Sequence, residues 1–139
     1  MSRFIKQFDL TVYPVDLVVV IGKEAEDEIN SKYTVLENES AWIAWETSYG
    51  AITFMVKEKL TNKTCIMIWV ESIDACRASI IAHECGHAAM CLFSYIDAKI
   101  DIDNQEPFCY LLGTLTKMVT QCYYELRDNE KIIDEHIEV

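Results

Sequence analysis

The hydrophobic pattern of this chain changes period near residue 72, and that change constrains the fold class more than any other feature. Before it, β-branched and aromatic residues alternate in short runs separated by polar clusters, as they do in strands. After it, apolar residues recur at helical spacing in two long stretches. Strands followed by helices are typical of α+β proteins. We therefore predict a single α+β domain over residues 1–139, strand-rich over 1–71 and helical over 72–139.

The strand-rich part is predicted to form a small, mostly antiparallel sheet. Residues 8–22 should form one or two strands interrupted at Pro14, and residues 23–33 a short acidic helix. Short strands are also expected at 33–38, at 41–47 and at 50–60, and the most distinct strand is expected at 61–71. These last assignments depend on apolar runs bounded by polar clusters.

Two helices are predicted in the second part of the chain. The first spans about 72–95 and is apolar nearly all round, so it should be buried on most sides. The second spans about 104–127, with Pro107 in its first turn, where a missing N–H costs little. Gly86 lies inside the first helix, which suggests a close neighbour, and Gly113 on the second helix is the candidate.

Composition restricts the classes of partner. The formal net charge is -11, whereas a nucleic-acid or anionic membrane surface calls for a basic footprint, so neither is expected as the partner. No stretch is long and apolar enough for a membrane span. The six cysteines lie mostly in apolar runs without CxxC spacing, which indicates reduced thiols. With no signal-peptide pattern near the N-terminus, we expect a cytoplasmic protein.

The first predicted helix contains an HExxH motif, within the segment SIIAHECGHAAMCLF. His83 and His87 are two of the chain's three histidines, and Glu84 is the only formally charged side chain over residues 79–96. Residues four apart on a helix share a face, so both imidazoles point to one place and can occupy two corners of a zinc tetrahedron. Glu84 would then act as general base on a zinc-activated water. A hydrogen-bonded core cluster without metal is the alternative.

A catalytic zinc site takes a third protein ligand and keeps its fourth position open. Eighteen residues separate His87 from Glu106, at the start of the second predicted helix, and this carboxylate is the predicted third ligand. Asp101 and Asp103 compete, although their place in the connection favours capping or turn roles. Tyr110, one turn after Glu106, is a candidate catalytic donor to an oxyanion, with packing as the alternative.

HECGH followed, after eighteen residues, by glutamate resembles the gluzincin pattern of the thermolysin-like and aminopeptidase-N-like zinc peptidases. The segment NQEPFCYLLG is similar to one in small HExxH proteins of phages and their bacterial hosts. The resemblance covers about residues 79–113 and implies a minimal zincin-like fold. It also implies Zn²⁺ held by His83, His87 and Glu106, with Glu84 as general base.

The resemblance further implies how a substrate is bound. In zincins the strand before the active-site helix usually lies at a sheet edge and pairs with the substrate backbone. Here that strand would be Cys65–Val70, which would bind a peptide or protein substrate by edge-strand pairing. The chain is too short for the second lobe that completes the cleft in larger members of the family.

Together these observations predict a zinc-dependent metallopeptidase. The main alternative is a non-catalytic binding protein that keeps the zincin fold to engage a host or phage regulatory protein. A structural zinc with four protein ligands is a third possibility. Two histidines and a carboxylate also suit iron(II), but the helical spacing of the ligands favours zinc.

Overall fold

A computed structural model describes residues 3–138, with side chains described through residue 130. Five strands form one mixed sheet: β1 (Phe4–Asp9), β2 (Asp16–Ile21), β3 (Tyr33–Val35), β4 (Ala51–Glu58) and β5 (Thr64–Val70). Three α-helices accompany them: α1 (Glu26–Lys32), α2 (Ala78–Tyr95) and α3 (Glu106–Glu138). The α+β class is confirmed. Among the described residues, no helix combines the length and the apolar character needed to cross a bilayer.

The strands lie in the order β1-β2-β5-β4-β3, and only the pairing of β2 with β5 is parallel. The sheet is therefore mostly antiparallel, as predicted. Both β2 and β5 are central and are covered on both faces, which explains why they read as continuous apolar runs. Pro14 lies in the turn between β1 and β2, where the sequence predicted a break.

Each face of the sheet has its own core. On one face, alternate residues of β2 and β5 pack beneath α2 and α3, which supply apolar residues at helical spacing. On the other face, the remaining strand residues pack against α1 and the segment after β3. The N-terminal part of α3 runs antiparallel to α2, because Phe108 contacts Phe93 near one end and Thr116 lies beside Cys85 further along.

The strand predicted at residues 41–47 is wrong. This segment is irregular and lies over α1, where side chains satisfy its backbone. The Ile43 N–H donates to Asn30 Oδ1 at 2.8 Å, and the Trp45 N–H donates to Glu26 Oε1 at 3.0 Å. These bonds replace ladder hydrogen bonds, while Trp45 packs edge-on against Trp69 at 5.1 Å between ring centroids.

The expected edge position of Cys65–Val70 is also wrong. These residues belong to β5, whose two sides pair with β2 and β4, so no backbone edge remains for a substrate. The free edge nearest α2 belongs to β4 instead. Strand β3 covers only Val56–Glu58, and the Leu36 N–H donates to the Met55 carbonyl at 3.2 Å. Among the described residues, no strand pairs with the outer edge of Ala51–Phe54.

Candidate metal centre

Helix α2 presents the HExxH motif at the boundary between core and solvent. Its buried face, which includes Cys85, Ala88 and Ala89, packs into the core, whereas both histidines are exposed. The spacing of four residues brings the two rings together, with centroids 4.7 Å apart. The Nε2 atoms of His83 and His87 are 3.1 Å apart.

The two nitrogens fit two ligands of one zinc ion. Nitrogens 2.0–2.1 Å from a tetrahedral zinc lie about 3.3–3.4 Å from each other. The observed 3.1 Å between His83 Nε2 and His87 Nε2 is close to that separation. Without an ion, the same distance allows one imidazole to donate a hydrogen bond to the other, with the direction set by the tautomers.

Glu84 is a buried carboxylate that faces the histidine pair. The residue is only 2% exposed. Its Oε1 accepts a hydrogen bond of 2.7 Å from the Thr53 hydroxyl, and its Oε2 lies 4.0 Å from His83 Nε2. The carboxylate is thus held close to the pair, while its Oε2 is too far from His83 for a direct hydrogen bond.

The surroundings of Glu84 lack a fixed positive charge. Among the side chains that the structure describes, no lysine or arginine lies within ion-pair distance of its carboxylate. A buried charge is costly unless it is paired. A cation held between His83 and His87 would supply the compensating charge. The carboxylate of Glu84 and the spacing of the two Nε2 atoms therefore favour a cation at the same place, between His83 and His87.

The motif opens into a cleft of about 250 Å³. Strand β4 and the turn before it form the opposite wall, with Tyr49, Ala51, Ile52 and Thr53. The Tyr49 ring lies 4.7 Å from the His83 ring, centroid to centroid, at an angle of 43°. Sequence reasoning missed Tyr49 and Thr53, because neither has a fixed spacing from the motif. The one hint in the sequence is Thr53 itself, a polar residue among the apolar residues at the start of the strand predicted at 50–60.

The free edge of β4 borders this cleft. The Gly50 carbonyl accepts from the Glu71 N–H at 2.8 Å, and the Glu58 N–H donates to the Lys63 carbonyl at 2.9 Å. Antiparallel pairing alternates along a strand, so even-numbered residues of β4 bond to β5 and odd-numbered ones face outward. Ala51 and Thr53 therefore direct their N–H and C=O groups to the open edge.

The structure does not bring Glu106 to the histidine pair. Glu106 is exposed at the first residue of α3, and two residues later Phe108 packs edge-on against Phe93, with centroids 5.5 Å apart. Phe93 lies six residues after His87, about 9 Å along the helix axis. Over the residues with described side chains, no three His, Cys, Asp or Glu residues are grouped to hold a metal. A third ligand from Glu106 stays a prediction from the sequence.

Tyr110 lies in a different cavity from the histidine pair, so its predicted place beside that pair is wrong. It is 72% exposed and lines a space of about 230 Å³ beside the turn between β1 and β2. That space is formed with Leu10, Val12 and Leu111, on the side of the molecule where α3 approaches β1 and β2. The tyrosine that lines the histidine cleft is Tyr49.

Cys85 does not take part in this cleft. Its side chain is fully buried on the core-facing side of α2, and burial raises the pKa of its thiol to about 11. A neutral buried thiol is a poor nucleophile. The arrangement of His83, Glu84 and His87 instead brings two imidazole nitrogens and a buried carboxylate together beside an open strand edge. No family model, curated protein or solved structure matches this chain.

Proposed function

We propose that this protein is a zinc-dependent metallopeptidase. The observation that carries the proposal is the 3.1 Å approach of His83 Nε2 and His87 Nε2 beside the buried carboxylate of Glu84, which has no lysine or arginine partner among the described side chains. A hydrogen-bonded pair of neutral histidines would satisfy the imidazoles but would bring no positive charge to the carboxylate of Glu84. A divalent cation satisfies all three side chains.

In this proposal His83 and His87 hold the ion, and Glu106 is assigned as third ligand from the sequence alone. Zinc, when bound, acts as a Lewis acid that polarises a carbonyl and makes water acidic enough to lose a proton near neutral pH. The chain supplies the proton transfer. Glu84 accepts the proton from the attacking water and later delivers it to the leaving amine.

Thr53 positions this base. Its hydroxyl holds Oε1 of Glu84 at 2.7 Å, which leaves Oε2 on the side of the histidines and the cleft. Tyr49 borders the same space, so its hydroxyl replaces that of Tyr110 as the tyrosine donor for the developing oxyanion.

The substrate in this proposal is a peptide that pairs with β4. The outward-facing backbone groups of Ala51 and Thr53 offer donors and acceptors along a segment that borders the cleft. Addition of a strand to such an edge requires little of the substrate's sequence. A peptide paired there would pass directly over Glu84 and the two histidines.

The first test is elemental analysis of protein prepared without added metal. We expect about one equivalent of zinc in the parent and its loss in His83→Ala, whereas His136→Ala, which removes the histidine outside the motif, should keep it. Glu106→Ala tests the third ligand, and an unchanged zinc affinity would remove Glu106 from the ligand set. Absence of metal from a folded parent would contradict the proposal.

Hydrolysis separates an enzyme from a binding protein with the same fold. With a peptide library and mass-spectrometric detection, we expect Glu84→Gln to keep zinc and to lose activity by at least about a hundredfold. Full activity in that variant would exclude Glu84 as the base. A zinc-loaded parent that cleaves no peptide would favour the binding protein instead.

A further inference from the structure

A second cavity continues the candidate cleft along the same helix and strand. It has a volume of about 450 Å³ and lies one helical turn beyond His87 and next to Thr53 along β4. Its walls come from β4, from α2, from the last residue of β3 and from the turn that follows it: Phe54, Met55, Cys91, Ser94, Tyr95, Val35, Leu36 and Glu37.

The cleft and this cavity lie end to end in the groove between α2 and β4. His83, His87, Cys91 and Tyr95 follow one another at intervals of four residues, so they form a single row along α2. The row faces β4 throughout, with Thr53 beside the motif and Met55 beside the cavity. The groove therefore changes along its length from the ionisable motif to a mainly apolar wall.

The sheet closes the groove at its apolar end. A peptide paired with Ala51 and Thr53 cannot continue past Met55, because the Met55 carbonyl already accepts the Leu36 N–H at 3.2 Å. Two strand residues span about 7 Å, so Met55 lies about that far from Thr53 and its Glu84 contact. A substrate side chain within two residues of the bond that faces Glu84 reaches the cavity.

We infer that this cavity is a specificity pocket for a large apolar side chain, such as leucine or phenylalanine, next to the bond to be cleaved. The inference rests on the proposed peptidase function. Leu36 and Met55 are half-buried, and a large apolar side chain would complete their burial. The one ionised group at the wall is Glu37, which is exposed at the rim.

The direction in which the substrate pairs with β4 decides whether the pocket binds the residue before or after the cleaved peptide bond. Helix α2 and β4 run the same way along the groove, from the histidines toward Tyr95 and Met55. A substrate antiparallel to β4 would place its N-terminal part at the pocket. The apolar residue would then precede the cleaved bond.

The test is peptide binding followed by NMR on the Glu84→Gln variant, which prevents turnover. The probes are acetylated tripeptide amides with a central leucine, alanine or lysine. We expect the leucine peptide to bind about tenfold more tightly than the alanine peptide and to shift the amides of Leu36, Met55 and Cys91. Ser94→Trp, added to fill the pocket from an exposed position, should weaken that binding at least tenfold, whereas Gln121→Trp on the surface of α3 should not.

Equal binding of the leucine and alanine peptides, tighter binding of the lysine peptide, or no shift at the pocket amides with any peptide would each overturn the inference. The readout depends on neither metal content nor hydrolysis. A chain that holds zinc and cleaves peptides without apolar preference would keep the proposed function and lose the pocket. Leucine-selective binding at the pocket by a chain that holds no metal would keep the pocket and overturn the proposed function.

Discussion

The hydroxyl of Thr53 links the strand to the motif helix through one short hydrogen bond. It donates to Oε1 of Glu84 at 2.7 Å, and that carboxylate is almost fully buried. Leaving a buried acceptor without its donor costs about 1–3 kcal/mol. The bond therefore matters to the stability of the fold as well as to the orientation of the base.

We expect Thr53→Val, which keeps the shape of the side chain but removes the donor, to lower the free energy of unfolding by about 1–3 kcal/mol. Urea unfolding at neutral pH measures the difference. Thr53→Ser keeps a hydroxyl and should recover most of the loss. A valine variant as stable as the parent would mean that Glu84 does not depend on this donor.

The site could be predicted only as far as local geometry reaches. The approach of His83 to His87 follows from their spacing on one helix, and the sequence was sufficient for it. Tyr49 and Thr53 lie about thirty residues earlier, and their contact with α2 depends on which strand packs beneath that helix. No spacing rule carries that information.

At the scale of elements, the helices and most strands were predictable because each depends on the period of its own apolar residues. The long helices α2 and α3 and the distinct strand β5 were all expected from that pattern. The central position of β5 was not, because order in a sheet is decided by pairing between distant segments. The sequence of the irregular segment at residues 41–47 resembles that of a strand because its apolar residues lie between polar clusters, but Ile43 and Trp45 face the core whereas Trp42 is 60% exposed.

Two glycines give opposite predictions for the same substitution. Gly113 lies in α3, and no atom comes within 4 Å of the position that a Cβ would take. The same holds for Gly86, so the close approach between these two glycines is wrong. Gly50 precedes β4 with φ of +108°, and a Cβ there would meet Ile80 Cδ1 at 3.2 Å.

We expect Gly113→Ala to raise the free energy of unfolding by about 0.5–1 kcal/mol, since alanine is the better helix former. Gly50→Ala should lower it, because an L side chain is strained at that positive φ. Thermal unfolding of the matched pair measures both changes. A loss of stability in Gly113→Ala would mean that its surface position is not free to accept a methyl group.

At the scale of the whole molecule, stability should depend on pH mainly on the alkaline side. Burial raises the pKa of the Cys76 thiol to about 12, and burial together with nearby carboxylates has a similar effect on Cys65. The pKa of Cys122 is also raised to about 12, and that of Cys85 to about 11. Their ordinary value is 9.0, so the unfolded chain loses these protons first.

Stabilisation from these thiols is complete below about pH 9 and is lost as the pH rises toward 11–12. We expect the free energy of unfolding to fall by up to about 1.4 kcal/mol per pH unit for each buried thiol above pH 9. Urea unfolding under reducing conditions at a series of pH values measures the slope. Cys85→Ala should show a shallower slope, and a flat profile from pH 9 to 10.5 would contradict the prediction.

The single parallel pairing in the sheet has a kinetic consequence. The hairpin of β1 and β2 and the meander of β3, β4 and β5 each form from neighbouring segments, but Asp16 pairs with Cys65 across 49 residues (65 − 16). Closing so long a loop costs conformational entropy before the contacts between β2 and β5 form, and this cost slows folding. We expect the joining of these two halves to limit the folding rate. During synthesis β2 would therefore have no partner on the side that pairs with β5 until residue 70 has left the ribosome.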